Sequence, residues 1–483
     1  MTPGLLSRKW PSLSSRGIVL FVMMMSLFEV SRNFGEMRRV SLFLDDETFS
    51  PMAEGIPTTK QHKTTVAYAV TVTKFKLSED KNNNFKHIDR AAVLHQSIKL
   101  AMQKSLRYDY HIYAFVHPEA IDAKPLLERL GYRVQVRDTP FNITEIQNSD
   151  LVNGQTVGCC GEKEYLKLYS YLLSDYPVVV HLDLDTIVLR PMDEVFDFMA
   201  LTQTTATRKL SLNQVDSFAK TSTMWMNKTF NVSLSHSSRT ILENPEQINF
   251  MFTRDYNMVN PPLKKPYQIG VQGGFLVIRP NQRDFDRMVE IIKAGGDYQG
   301  SSWGGDELGY GGYYGAATIQ GLASYYYDYH ENATRSIELN RCNYNTMADN
   351  PIFFNKDLQK TLCTTLEDVD DCEDCRKTKL EDVYTTHFTV CGKPEWCMVQ
   401  QDRLCEQLLQ TWHKIRLSLE LDWMKRFSST SFPYVPELKG VDPTKSRGKH
   451  LESQKMGHCD GDRYISLLLP AKTNSNNEIN ALI

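Results

Sequence analysis

The stretch from Tyr165 to Asp197, YLKLYSYLLSDYPVVVHLDLDTIVLRPMDEVFD, constrains this chain more than any other. A segment with helical patterning runs into a short apolar strand, Val178-Val179-Val180, which ends on Asp183-Leu184-Asp185 and a turn. Open α/β sheets bind ligands beyond the carboxyl ends of their parallel strands, and alternate residues of an extended Asp-Leu-Asp can converge on one cation. Carboxylates at the end of a buried strand are costly unless a cation meets them. A structural cap is the competing reading.

The chain supplies its own controls, because Asp284/Asp286, Asp368/Asp370 and Asp460/Asp462 share the spacing. The first pair falls in the first turn of an expected helix, where acids suit the macrodipole. The other two lie in polar, loop-like stretches and read as solvated charge. Only Asp183/Asp185 terminates an apolar strand, so it is the candidate metal site. Oxygen ligands suit Mg²⁺ or Mn²⁺, and an added imidazole moves the preference towards Mn²⁺.

A length of 483 residues with 41% hydrophobic and 23% charged residues is that of a globular protein. A formal net charge of −3 gives no electrostatic reason to expect nucleic acid. Arg8, Lys9 and Arg16 precede the uncharged run Gly17 to Phe28, a positive n-region and short h-region that read as a secretory signal. The run falls short of the roughly 20 apolar residues a bilayer core needs, and no small-x-small cleavage site follows. An uncleaved signal anchor is the first reading; a cleaved signal peptide and a plain hydrophobic N-terminus are the alternatives. An anchor implies a single-pass type II membrane protein facing the Golgi or another secretory lumen, and cleavage implies secretion.

Sequons at Asn142, Asn227, Asn231 and Asn332 fit that route but are few enough to arise by chance. The cysteines weigh more, since seven of the ten lie at 342, 363, 372, 375, 391, 397 and 405. In an oxidising lumen such a cluster reads as disulfides closing an irregular insertion. Zinc held by Cys372, Cys375, Cys391 and Cys397 is the rival.

Four parts are expected: a signal anchor or signal peptide over 1–30, a polar stem over 31–62, one large domain over 63–430 with a cysteine-rich insertion near 335–383, and a flexible polar tail over 431–483. Within the domain, TTVAYAVTVT from Thr64 reads as a buried strand. A helix near 88–105, strand 111–116, helix 125–130 and strand 132–137 follow. Then come a helix over 162–173, the strand PVVVHLD, and a helix start after Pro191. Residues 201–260 read as loops and short helices, 270–279 as a strand, 281–294 as a helix, 384–390 as a late strand and 403–426 as a long helix. Strands alternating with helices predict a parallel sheet with right-handed crossovers.

Some 200 residues after the acidic pair stands THFTVCGKPEW, from Thr386 to Trp396. A lone strand histidine is usually structural. Here His387 is followed by a Gly-Lys-Pro turn that can present backbone N–H groups and an ammonium to a phosphate. Together with HLDLDTIVLRPMDEVFD, the chain resembles the glycogenin-like glycosyltransferases of family 8, retaining enzymes that use nucleotide-sugar donors. The resemblance spans roughly Thr64 to Trp396. It departs from the family's His-x-x-Gly-x-x-Lys-Pro-Trp pattern by a displaced Gly392 and one residue inserted between Pro394 and Trp396.

The resemblance implies a single Rossmann-like, GT-A type α/β domain with a mixed, mainly parallel sheet. It implies that Asp183, Asp185 and His387 ligate Mn²⁺, with Mg²⁺ the alternative, and that Gly392 and Lys393 hold the diphosphate. Lys167 matches a lysine that reaches the donor, and Thr73 a residue near the nucleobase, although Lys74 stands where the family often has asparagine. Gln272-Gly273-Gly274 matches an Asn-Ser-Gly strand start, and Asp306-Glu307 an Asp-Gln pair near the transferred sugar. Gln272, Asp306 and Glu307 are thus the catalytic candidates and Gly273 and Gly274 further donor-site residues. For Asp306 a helix N-cap, and for Lys167 a solvated helix face, are the plain alternatives.

The implied activity is Mn²⁺-dependent transfer of a hexosyl group, with retention, from a UDP-sugar or other nucleotide sugar to a glycan or glycoprotein hydroxyl. One alternative is a self-glucosylating primer, with Tyr313, Tyr314 and Tyr325 to Tyr327 as the tyrosines to consider. The other is a catalytically silent carbohydrate-binding protein. Nothing in the sequence names the donor sugar, the acceptor or the oligomeric state.

Overall fold

The β-branched run at Thr64 opens the sheet on which the rest is built. The computed structural model describes residues 63–76, 81–155, 160–200, 248–256, 269–300, 302–304, 310–311, 315–331, 335–356, 358–363, 372–398, 402–426, 458–460 and 463–467. The anchor and stem expected over 1–62 lie outside them. Among the described residues no helix is long and apolar enough to cross a membrane.

In chain order the main elements are β1 (Thr64–Val72), α1 (Lys81–Met102), β2 (Tyr108–Val116), α2 (Lys124–Leu130), β3 (Arg133–Val136), β4 (Val179–Leu182), β5 (Thr186–Val188) and α3 (Asp193–Ala200). They continue with β6 (Phe250–Arg254), β7 (Val271–Ile278), α4 (Gln282–Ala294), β8 (Ser336–Glu338), β9 (Thr385–His387) and α5 (Arg403–Arg426), and close with the hairpin β10 (Cys459–Asp460) and β11 (Arg463–Tyr464). Seven strands form the central sheet in the order β8-β6-β7-β4-β1-β2-β3. Pairings are parallel except those that β7 makes with β4 and β6, so β7 alone runs against the others. The sheet is therefore mixed and mainly parallel, as expected.

Strand β1 is apolar and buried from Val66 to Val70 because both of its faces are covered there. Val66, Tyr68 and Val70 pack against Ile88, Leu94 and Ile98 of α1 on one side. Ala67 and Ala69 face Tyr165, Leu168 and Tyr171 on the other. The segment that brings those tyrosines, Gly161–Leu172, is a 3-10 helix, tighter than the α-helix expected. At three residues per turn, side chains three apart line up in rows. Tyr165, Leu168 and Tyr171 make the apolar row, while Glu164, Lys167 and Ser170 make a polar row whose last two members reach Asp183 and His181.

Three expectations are corrected, and the disulfide reading of the cysteines holds against its zinc rival. Within the window read as loops, Phe250–Arg254 is a fully buried strand of the central sheet, an apolar stretch diluted by the polar residues preceding it; residues 201–247 lie outside the described set. The insertion begins later than 335, because Ser336–Glu338 pairs in parallel with β6. The cysteines form disulfides, Cys342–Cys375, Cys363–Cys372, Cys391–Cys405 and Cys397–Cys459, so the four proposed zinc thiolates go to four different partners. The last bond also overturns the wholly flexible tail, since it ties the hairpin β10–β11 to the domain; polar composition concealed a segment held by one covalent bond and buried ion pairs.

Helix α4 is capped by Asn281, whose side chain accepts from the Asp284 N–H at 2.8 Å, and it ends on Gly295 with φ 56°. Asp284 lies in the first turn of α4, as expected, but does more than suit the helix dipole. It is fully buried and accepts from Tyr326 Oη (2.8 Å), Arg335 Nη1 (2.9 Å), Asn281 Nδ2 (2.9 Å) and Asn249 Nδ2 (3.1 Å), tying α4 to the chain entering β6 and β8. Asp286, two residues on, is exposed. Removing one partner from a buried charge network costs about 3 kcal/mol or more, whereas exposed changes stay within about 0.5 kcal/mol. Urea unfolding should therefore place Asp284→Ala about 3 kcal/mol below wild type and leave Asp286→Ala unchanged.

Candidate metal centre

Strand β4 delivers the acidic pair. Its antiparallel pairing with β7 continues for one more bond, Asp183 N–H to Gly274 O at 3.1 Å. The chain then turns: Thr186 donates to Asp183 O from both its N–H (3.2 Å) and its hydroxyl (2.7 Å). This tight closure keeps Asp183 and Asp185 near the carboxyl end of β4. Strand β5 follows at once and pairs antiparallel with β9, with His387 opposite Thr186. Phe388 N–H donates to Asp185 O at 2.9 Å, locking the register.

That register brings His387 to the acids. Its Nε2 lies 3.2 Å from Asp185 Oδ1 and 3.8 Å from Asp183 Oδ2. One ligand atom from each of the three residues fits within a mutual span of 4.8 Å. Donors bound at about 2.1 Å to one six-coordinate ion are roughly 3–4 Å apart, so the three side chains could hold a divalent cation. Side-chain exposure falls from 32% at Asp183 to 11% at Asp185 and 5% at His387, so the ring closes the inner side and the first acid faces outward.

Burial pushes the His387 imidazole down from its usual range, against the opposing pull of Asp183 and Asp255, which favours the neutral ring. A metal ligand needs that neutral lone pair. Among the described residues its Nδ1 is buried without a hydrogen-bond partner, so on that side packing orients the ring. The surface it packs on is Gly274, where a Cβ would lie 2.5 Å from His387 Cε1 and 2.7 Å from Nδ1. Gly273 is less confined, by Gln320 Cγ at 2.9 Å from its would-be Cβ. Close approach at the start of β7 thus requires glycine at 274 above all.

Two lysines flank the acids. Lys167 Nζ reaches Asp183 Oδ1 (2.8 Å), Glu164 (2.7 Å) and Gly273 O (3.0 Å). Burial alone would lower this ammonium's pKa, but the Asp183 and Glu164 carboxylates raise it well above its usual value. The solvated-face alternative for Lys167 is therefore excluded, since the residue is buried. Lys393 Nζ pairs with Asp185 Oδ2 from a turn that begins at Gly392, whose φ of 77° suits glycine. Four carboxylates (Asp183, Asp185, Glu164, Asp255) outnumber two ammoniums (Lys167, Lys393) around the imidazole, a net −2 that a divalent cation offsets.

The other sequence candidates divide. Gln272 is buried beneath the histidine: its Oε1 accepts from Gly274 N–H (2.5 Å) and Asn345 Nδ2 (3.1 Å), and its Nε2 faces Asp255 Oδ2 at 3.5 Å. Thr73, at the end of β1, donates to Cys160 Sγ at 3.3 Å, and Lys74 is exposed. Asp306, Glu307, Tyr313 and Tyr314 lie outside the described residues. Tyr325 to Tyr327 are buried, with hydroxyls on Asp297, Asp284 (2.8 Å) and Tyr171 (3.0 Å), and serve packing. Sequence reasoning missed Asp255, Asn345 and Glu164. Only Glu164 carried a signal, an acid three residues before Lys167.

Placing a methyl group at residue 274 must move His387 or β7. Gly274→Ala should lower divalent-cation affinity by about 10- to 100-fold, the scale for disturbed support of a ligand, while circular dichroism stays that of wild type. Titration calorimetry checks it.

Among solved structures the chain is similar to mouse xyloside xylosyltransferase 1, with TM-score 0.35 and 12% identity over 68% of this chain and 98% of that one. It is similar to the galactosyltransferase LgtC in complex with donor and acceptor sugar analogs (0.34, 10%, 74% and 96%) and to the glycosyltransferase GlyE of Streptococcus pneumoniae TIGR4 (0.34, 9%, 75% and 63%). No protein-family model and no curated protein matches the chain. Likeness this distant carries no inference about activity, which rests on the residues themselves.

Proposed function

We propose that this chain is a retaining glycosyltransferase that moves a hexosyl group from a nucleotide sugar, with UDP as the nucleotide, to a glycan or glycoprotein hydroxyl. The observation that carries the reading is the gathering of Asp183, Asp185 and His387 at the carboxyl end of β4 beside the Gly392-Lys393 turn. Two oxygens and one imidazole suit Mn²⁺, with Mg²⁺ second. Such an ion supplies Lewis-acid stabilisation of the charge that develops on a nucleoside-diphosphate leaving group.

The chain's own residues do the rest. Lys167 holds Asp183 in place through a short ion pair. Lys393, exchanging Asp185 for phosphate, places a positive charge where the leaving oxygens gather. Gly392 gives that turn the left-handed backbone it needs. The acceptor hydroxyl is then held for attack on the same face, with the leaving phosphate taking its proton; the protein contributes positioning. Retention and this front-face route follow from the family resemblance. Asp306 and Glu307 are assigned to the sugar on the same ground.

Four disulfides support residence in an oxidising compartment, consistent with a Golgi or secretory-lumen enzyme anchored through its N-terminus. Burial of Tyr325 to Tyr327 speaks against these tyrosines as targets of self-glucosylation. Asp185→Ala should reduce Mn²⁺-dependent hydrolysis and transfer across a panel of UDP-sugars on the order of 100-fold or more, the scale for losing a preorganised charge-stabilising group. Full turnover in the variant would refute the assignment, and a wild type that binds Mn²⁺ and UDP without turnover would mark a silent binding protein.

A further inference from the structure

We propose that residues 458–460 and 463–467 form a strap that positions the turn carrying Lys393, with Cys459, Arg416 and Asp89 as its positioning residues. The inference rests on the functional reading above, in which Lys393 holds the diphosphate.

The turn has little internal support. Trp396 N–H donates to Lys393 O (2.9 Å) and Cys397 N–H to Pro394 O (3.3 Å), and Gly392 and Cys397 bound it with φ of 77° and 55°. A lysine on so short a turn is aimed only as well as the turn is held. Its ties run outward: Cys391, beside Gly392, is bonded to Cys405 of α5, Glu395, buried, pairs with Arg90 of α1, and Cys397 is bonded to Cys459. Strand β11 of the hairpin also packs on Pro394–Trp396.

The strap is held in turn by a buried ion network. Arg416 of α5 is fully buried and donates to Tyr464 Oη (2.6 Å), Ile465 O (2.7 Å) and Glu420 Oε1 (3.2 Å). Glu420 Oε2 lies 2.8 Å from His458 Nε2. At the far end Leu467 N–H donates to Asp89 Oδ2 at 3.0 Å. Asp89 is the neighbour of Arg90, so one turn of α1 grips the donor turn through Arg90 and the strap through Asp89. The ties close a ring: α1, Glu395, the turn, Cys397–Cys459, the strap and α1 again. Buried ion networks add little net stability compared with apolar packing but fix one arrangement of the groups they join. What this one fixes is the seat of Lys393.

The test uses the full chain with Cys397→Ser and Cys459→Ser together, titrated calorimetrically with Mn²⁺ alone and with UDP in the presence of Mn²⁺. Mn²⁺ affinity should stay within about twofold of wild type, because Asp183, Asp185 and His387 are untouched, while UDP affinity falls about tenfold. In a Lys393→Met background the same serines should cause no further loss, since a positioning effect vanishes with the group positioned. Unchanged UDP affinity, or a loss undiminished in the Lys393→Met background, overturns the proposal. Should the serine pair fail to fold, Asp89→Asn loosens the strap with every disulfide intact and must give the same split. A wild type that binds neither Mn²⁺ nor UDP would instead sink the functional reading, and the strap's role with it.

Discussion

The site depends on three residues of pairing. Strand β9 lies against β5 with His387 opposite Thr186, and this pairing sets an imidazole some 200 residues downstream beside the Asp183-Asp185 turn. The pairing is braced on its other edge: Thr346 N–H donates to Thr385 O (2.9 Å) and His387 N–H to Thr346 O (3.0 Å). A strand gripped from both sides cannot slip by one residue, and a one-residue slip would turn His387 away from the acids. The chain from Asn343 to Thr346, at the base of the cysteine-bearing region, is thus part of the site's frame. Disulfide Cys342–Cys375 closes directly before it.

Charge explains why the arrangement is tolerated. Each strand-end acid has a lysine, Lys167 for Asp183 and Lys393 for Asp185, and these differ in kind. Lys167 is buried and anchored three ways, a fixed counter-charge. Lys393 sits on a turn held by remote ties and is the one proposed to exchange Asp185 for a phosphate. The imidazole, which burial pushes towards its neutral form, could add a ligand without adding charge. Close approach of Gly274 does the orienting that a hydrogen bond to Nδ1 would otherwise do.

Much of this was legible before any coordinates. The apolar strand ending on Asp183 and Asp185 was readable because period, composition and turn agreed, and the other Asp-x-Asp pairs were set aside because theirs did not. His387 and Lys393 were found by joining two distant motifs. What escaped had no local pattern. Phe250–Arg254 is a strand because β7 and β8 lie on either side, and its flanking polar residues hid it. Asp284 was read by its place in a helix, while its burial is decided by Tyr326 and Arg335, far along the chain. Asn345 sits at φ 57° in a loop without motif, and the docking of 458–460 and 463–467 hangs on one disulfide and a few ion pairs that composition does not reveal.

The measurement that bears most directly on this account is anomalous diffraction at the manganese edge from crystals grown with Mn²⁺ and UDP. The account predicts one strong peak within bonding distance of Asp183, Asp185 and His387, with the diphosphate against Lys393. A peak elsewhere, or none while nucleotide is bound, would contradict it.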